Sequence, residues 1–207
     1  MRSLATIALS VVLLSGCGTP EAASDQAQQE PPEVETPQEQ ENVPEGDGGG
    51  NLGESIDQLD VAPETDEDSY DRDAFGDYDR DAQLSQNQSE FDDCDGYYSR
   101  YDDVCHTSAD DVDVDIDETV ARAEAWRSGA HSWGETELDA FGGDPANLSV
   151  MTSSVNRHEK SDNDPTAWTP QTRECEYAEQ WVTVKLDYEL TADQAEVDAL
   201  EAMAAGC

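Results

Sequence analysis

Apolar residues arrive in two blocks, and the long acidic stretch between them limits where a core can form. The first block runs from Leu4 to Leu14, broken only by Thr6 and Ser10, and follows Arg2. It is too short to span a bilayer and has the order of a signal-peptide charge and apolar core. From Gly18 to about Leu59 the chain is Glu, Gln, Pro, Gly and Ser, with little to bury. The run Gly46-Asp47-Gly48-Gly49-Gly50 marks that stretch as a flexible tether. Residues 60 to 90 stay acidic and gain aromatics. They hold a duplication, Tyr70-Asp71-Arg72-Asp73-Ala74 and Tyr78-Asp79-Arg80-Asp81-Ala82. A calcium loop would need spaced Asp/Asn ligands, a central Gly and a terminal Glu, so this segment reads as a solvated lead-in. The expectation is a disordered acidic linker over residues 17–90 and one folded domain over 91–207.

Charge bounds the partners. The chain carries 50 Asp+Glu against 10 Lys+Arg, a net charge of −40. It lacks the basic footprint with which nucleic-acid binders neutralise phosphates. An anionic surface repels a polyanion over a Debye length of about 10 Å at 0.1 M salt. High salt or a metal-bridged contact remain as routes to a phosphate.

The tetrapeptide Leu14-Ser15-Gly16-Cys17 resembles a bacterial lipobox. That resemblance implies a signal peptide over residues 1–16 and a lipidated Cys17. The folded part would then sit outside the cell, touching the membrane through its anchor alone. Setting Cys17 aside leaves Cys94, Cys105, Cys175 and Cys207. In an oxidising compartment these suggest two disulfides with three pairings open. Local closure favours Cys94–Cys105 and Cys175–Cys207. No Cys/His spacing of a zinc site is present.

Beyond Phe91 the apolar pattern becomes regular. Val112, Val114 and Ile116 alternate with Asp111, Asp113, Asp115 and Asp117, the period of a strand with one carboxylate face. Val120, Ala123 and Trp126 then follow helical spacing, with Thr119 placed to cap the helix. After a Gly-rich turn at Gly142-Gly143-Asp144-Pro145, Leu148 to Met151 reads as a second strand. A polar helix opens at Asn156 and stops by Asp164-Pro165. At the C-terminus, Tyr177, Trp181, Val184 and Tyr188 share one helical face. Thr191 and Gln194 resemble a capping box before Val197, Leu200 and Met203. These aromatics, with Trp168, read as core.

Strand, crossover, strand, helix is the outline of a ββα-metal nuclease site. Asp115-Ile116-Asp117-Glu118-Thr119-Val120, with Ala123-Glu124-Ala125-Trp126-Arg127-Ser128-Gly129-Ala130, resembles the Asp-His segment of exported HNH endonuclease proteins. These are similar to the C-terminal domain of GmrSD-type restriction enzymes. Phe141-Gly142-Gly143-Asp144-Pro145-Ala146-Asn147-Leu148 resembles the family's Asn-Leu motif. Asn156 through Lys160, Asp162 and Pro165 to Trp168 resembles its Asn…Lys-x-Asp…Pro…Trp motif. The resemblance covers about residues 94 to 207.

It implies an α+β fold with a small ββα-metal (HNH-like) core and a C-terminal helical pair. It also implies Mg²⁺ or another divalent cation held by Asp117 and Asn156, with nucleic acid as substrate. Asn147 would tie the site loop together, with Lys160 and Asp162 as structural members of the site. The chain departs from the family at several positions, among them the region of Leu138 and Asp139, where the family's Arg before the Phe motif is missing. Glu118 stands where the general-base histidine is expected, and Ala121 and Arg122 replace the usual Pro and Leu. His158, two residues past Asn156, is the other candidate base. The expected function is thus a cell-surface lipoprotein with divalent-metal-dependent phosphodiester hydrolysis, weakened at Glu118. The other reading is a non-catalytic acidic surface-binding lipoprotein.

Overall fold

The structure, a computed structural model, describes residues 48–110 and 112–207. The expected signal peptide, Cys17 and the first part of the tether lie outside the described residues. The fold class is mixed α and β, with two small antiparallel sheets and seven α-helices in the described residues. No helix among them is long and apolar enough to cross a membrane.

The folded body begins well upstream of Phe91. Helix α1 spans Gly48–Ile56, and Leu52, Ile56 and Leu59 are buried. Their spacing of four and three residues makes one apolar stripe. It packs against the two C-terminal helices, α6 (Glu174–Asp187) and α7 (Gln194–Ala204). Val61 pairs with Ala192, and Arg127 holds Glu64 at 2.9 Å. The acidic lead-in is therefore part of the domain. A few well-spaced apolar side chains suffice because the C-terminal pair supplies the opposite surface.

The duplicated pentapeptide has a local cause. In each copy the Asp after Tyr caps a helix start. Asp71 accepts from the Asp73 amide at 3.1 Å, opening a 3₁₀ turn over Arg72–Ala74. Asp79 accepts from the Ala82 amide at 3.0 Å, opening α2 (Arg80–Glu90).

Strands β1 (Tyr97–Ser99) and β2 (Val104–His106) form a hairpin braced by the Cys94–Cys105 disulfide. Strand β3 (Val114–Glu118) pairs antiparallel with β4 (Leu148–Thr152), with Asp117 opposite Ser149 and Glu118 opposite Leu148. Helices α3 (Arg122–Arg127) and α4 (Glu135–Gly143) fill the crossover between them. After β4, a short α5 (Ser153–Val155) widens into a π-helical turn over Asn156–Lys160. Cys175–Cys207 staples the start of α6 to the segment after α7. Both disulfides are the expected pairs.

Three local expectations change. Val112 lies outside β3 and is 81% exposed, so the strand starts two residues later. Helix α3 starts at Arg122 after Ala121, beyond the reach of a Thr119 cap. The cap of α7 is Asp193, which accepts from the Glu196 amide at 2.8 Å, and not Thr191.

The core gathers on α6. Tyr177 and Trp181 are fully buried, and Trp168 meets Tyr101 and Tyr177 edge-on at 6.5 and 5.4 Å between ring centroids. Inside it lies Lys185, whose ammonium bonds Glu124 and Glu196, each at 2.7 Å, and the Thr191 carbonyl at 2.8 Å. Burial pushes the Glu196 carboxyl up to about 7 against the pull of Lys185. For Glu124, burial is outweighed by Lys185 and its hydrogen bonds, and its carboxyl is held below the usual range.

A carboxyl raised in the fold binds its proton more tightly there than in the unfolded chain. Its stabilisation is complete below the unfolded value near 4.5 and is lost as pH rises through about 7. Thermal stability should therefore fall from pH 5 to pH 8. Glu196→Gln, measured by melting at each pH, should flatten the fall by up to roughly 1.4 kcal/mol per pH unit.

Candidate functional site

Period-two geometry sends Asp115 and Asp117 to the same side of β3. The turn from Asn156 to Lys160 faces this row. Arg157 grips Asp115 with two nitrogens, at 2.6 and 2.8 Å, and the Asn156 amide donates to the same carboxylate at 3.2 Å. Further along, Lys160 faces Asp117. Its ammonium donates to Oδ1 at 3.3 Å and to the Glu118 carbonyl at 2.9 Å.

Lys160 is fully buried and Asp117 is 4% exposed. Burial pushes the Asp117 carboxyl up to about 7, opposed by Lys160 and reinforced by Glu118. Asp117 Oδ2 lies 3.1 Å from the ammonium but, with no suitably directed donor, is a buried oxygen without a hydrogen bond.

Glu118 sits at the end of the strand. Its Oε1 takes Arg122 Nε at 2.9 Å, and the same guanidinium donates to the Gly76 carbonyl at 2.9 Å. Both side chains of this pair are close to nine-tenths buried. Asn147 connects the crossover to the strand. Its side chain accepts from the Val120 amide at 2.8 Å and donates to the Val120 carbonyl at 3.0 Å, while its own carbonyl accepts from Thr119 at 2.7 Å. Asn147 is completely buried.

Asp115, Asp117, Glu118, Asn156, Arg157 and Asp162 line one pocket of about 350 Å³, whereas Lys160, Arg122 and Asn147 are not part of its wall. Asp162 is exposed there, carried by a reversal at Ser161, whose φ of 47° is rare for a residue with a Cβ. The structure thus brings Asp117, Glu118, Asn156 and Asp162 to one concavity. It does not bring His158, which is exposed and outside the wall. His106 bonds Thr152 at 2.7 Å, and His131 faces the Trp126 carbonyl and Asp66. No histidine lines the pocket.

Asn156 meets Asp115 through its nitrogen, which leaves its oxygen without a hydrogen bond among the described residues. A hard divalent cation prefers such oxygens, and magnesium typically takes only one or two carboxylates beside its waters. Asp117 Oδ2, ion-paired to Lys160 but without a hydrogen bond, and Asn156 Oδ1 are oxygens of that kind. Elsewhere, Glu64, Glu124 and Asp164 bring carboxylate oxygens within 4.8 Å of one another. Glu124 is already engaged by Lys185, Arg127 and Ser128, so that cluster belongs to the buried ion network. Another pocket, of about 400 Å³, lies beside Gln83, Asn87 and Gln180 and contains none of the expected site residues. Its amides are largely spent, Asn87 on the Tyr98 backbone and Gln180 on Ala146 and Tyr101.

Asp115, Arg157 and Arg122 were not foreseen as site residues. The Asp alternation already placed Asp115 beside Asp117. Nothing local to the sequence marks Arg122 as the partner of Glu118 except their four-residue spacing across the strand end.

No family model and no solved structure matches the chain. A curated protein of Arthroderma benhamiae named "Uncharacterized secreted protein" is 38% identical over 115 residues. The match covers 54% of this chain and 55% of that protein, so the chain spans about half the length of the relative it matches. A secreted relative and two disulfides agree with an extracellular setting.

Removing Lys160 leaves Asp117 buried without its cation. Lys160→Met should destabilise the fold by about 3–5 kcal/mol in urea denaturation. Asp117→Asn in the same chain should recover much of that loss, because the remaining penalty is the uncompensated charge.

Proposed function

We propose that this pocket is a divalent-cation-dependent phosphodiester-hydrolysing site of the HNH type, on a domain exported and anchored through Cys17. The observation that carries the reading is that Asp117 and Asn156, far apart in sequence, line one pocket, Asp117 with a buried oxygen that has no hydrogen bond. An antiparallel strand pair followed by a helical turn brings them to that pocket. Asp117 and Asn156 would hold the ion. When bound, it supplies positive charge to a phosphate oxygen and to the leaving oxygen.

The chain's own residues do the rest. Lys160 positions the Asp117 carboxylate, and Arg157 fixes Asp115 so that the Asn156 amide is oriented. Asn147 holds the strand end against the crossover. Glu118, in the base position, accepts a proton from water. A carboxylate is a weaker base than imidazole near neutral pH, so turnover is slow.

The departures at 118 and 122 belong together. Arg122 replaces an apolar residue of the resembled family, and it neutralises the glutamate that replaces the histidine. A single Glu118→His change would leave Arg122 buried beside an imidazole. The second reading, a non-catalytic acidic binding protein, draws on the same fact: Asp115, Asp117 and Glu118 each already have a protein cation.

Supercoiled plasmid incubated with Mg²⁺ or Mn²⁺ tests the proposal. Metal-dependent nicking is expected, and Asp117→Ala should lower it at least a hundredfold. The double variant Glu118→His with Arg122→Leu should nick faster than the natural chain. Nicking that persists in Asp117→Ala, or none with either metal in any of these proteins, contradicts the proposal.

A further inference from the structure

The duplicated Tyr-Asp-Arg-Asp-Ala segment supplies two arginines that the fold uses differently. Arg80 donates to the Ala109 and Val114 carbonyls at 2.8 and 3.0 Å, fastening α2 to the start of β3. Arg72 is exposed, and its side chain makes no hydrogen bond or ion pair with the described residues. Every other arginine described has at least one such contact. In a chain with five acids for each base, a guanidinium left alone is unusual.

Its location is specific. Arg72 lines the pocket that holds Asp117 and Asn156. It also lines a second depression, of about 510 Å³, with Asp73, Phe75, Asp77, Tyr78 and Arg122. The two concavities share Arg72 and Tyr78, and so form one groove. The backbone behind Arg72 is held firmly. Phe75 is buried against Trp126 and Phe141, at 6.1 and 5.8 Å between centroids. Gly142 of α4 lies so close that a Cβ there would meet the Gly76 carbonyl at 2.2 Å. Tyr78 completes the attachment by donating to the Ile116 carbonyl at 3.3 Å.

The other cations of the site are committed. Arg157 serves Asp115, Arg122 serves Glu118, and Lys160 serves Asp117. Among the described residues of the site, Arg72 alone keeps an unshared charge. Its planar fork matches phosphate oxygens. We propose that Arg72 is a substrate-binding residue that contacts a phosphate of the same strand, next to the one over Asp117 and Asn156. The groove's substrate class is accordingly an extended nucleic-acid strand, not an isolated phosphate monoester. This inference rests on the phosphodiester reading of the pocket. Asp73 and Asp77 flank the second depression, so binding strengthens with Mg²⁺ present to offset them.

The test uses the full chain, a fluorescein-labelled single-stranded 12-mer with Mg²⁺, and fluorescence anisotropy over a range of salt. Arg72→Gln should weaken binding at least fivefold. It should also reduce the slope of log affinity against log salt by about 0.7, the share of one phosphate on a single strand. Its melting temperature should match the natural chain, whereas Arg80→Gln should melt lower; Arg72→Lys should restore part of the affinity and the slope. Equal affinity and slope for Arg72→Gln, or no binding by the natural chain, overturns the inference. Arg72-dependent binding without plasmid nicking supports the role of Arg72 and removes the hydrolase. Nicking with a KM unchanged by Arg72→Gln leaves the hydrolase and removes Arg72.

Discussion

Carboxylates crowd this chain, and the site depends on how few cations are spent to hold them. Strand β3 sets two aspartates on one face, and the π-helical turn after β4 meets them with an arginine and a lysine in matching register. Without that match, Asp115 and Asp117 would repel each other at the edge of the core, and burying Asp117 would cost several kcal/mol. With it, a strand and a helical turn drawn from distant parts of the sequence are locked together. Asp117, one of whose carboxylate oxygens has no hydrogen bond, and Asn156 are left lining one pocket. The π-helical geometry is part of this. Such turns are rare in helices and often occur where a helix must present side chains for function.

The same economy governs the second charged centre. Lys185 sits beneath the C-terminal pair between Glu124 and Glu196, and Glu124 is also tied to Arg127, which reaches Glu64. The upstream segment is thus bound to the domain through apolar contacts at Leu52, Ile56 and Leu59 and through an ion network. Both centres use a buried lysine to hold carboxylates that the acidic composition makes abundant. Around Lys185 every carboxylate oxygen of Glu124 and Glu196 has a hydrogen bond; at the pocket Asp117 Oδ2 has only the nearby ammonium. That difference separates a structural cluster from a candidate site.

Much of the strand–strand–helix unit was legible, because period-two alternation and the positions of Gly and Pro report local geometry directly. The C-terminal pair was legible for the same reason: Tyr177, Trp181 and Val184 follow the helical period and are buried. The upstream half of the domain was not. Leu52, Ile56 and Leu59 have helical spacing, but glycine and acids surround them, and composition outweighed periodicity. The partner surface that makes so thin a stripe sufficient lies more than a hundred residues away. The pairing of Glu118 with Arg122 was hidden for another reason: each looked like a separate departure from the HNH pattern, and only the fold joins them. Arg72 and Tyr78 could not have been placed at the pocket while their segment was read as solvated.

The proposed hydrolase requires that a cation be able to share Asp117 with Lys160. Crystals grown with Mn²⁺ and measured at the manganese edge address this most directly. The account predicts one strong anomalous peak in contact with Asp117 and Asn156, absent in Asp117→Ala crystals that keep the same fold. A pocket without manganese at millimolar concentration, or manganese scattered over the exposed acids alone, would contradict it.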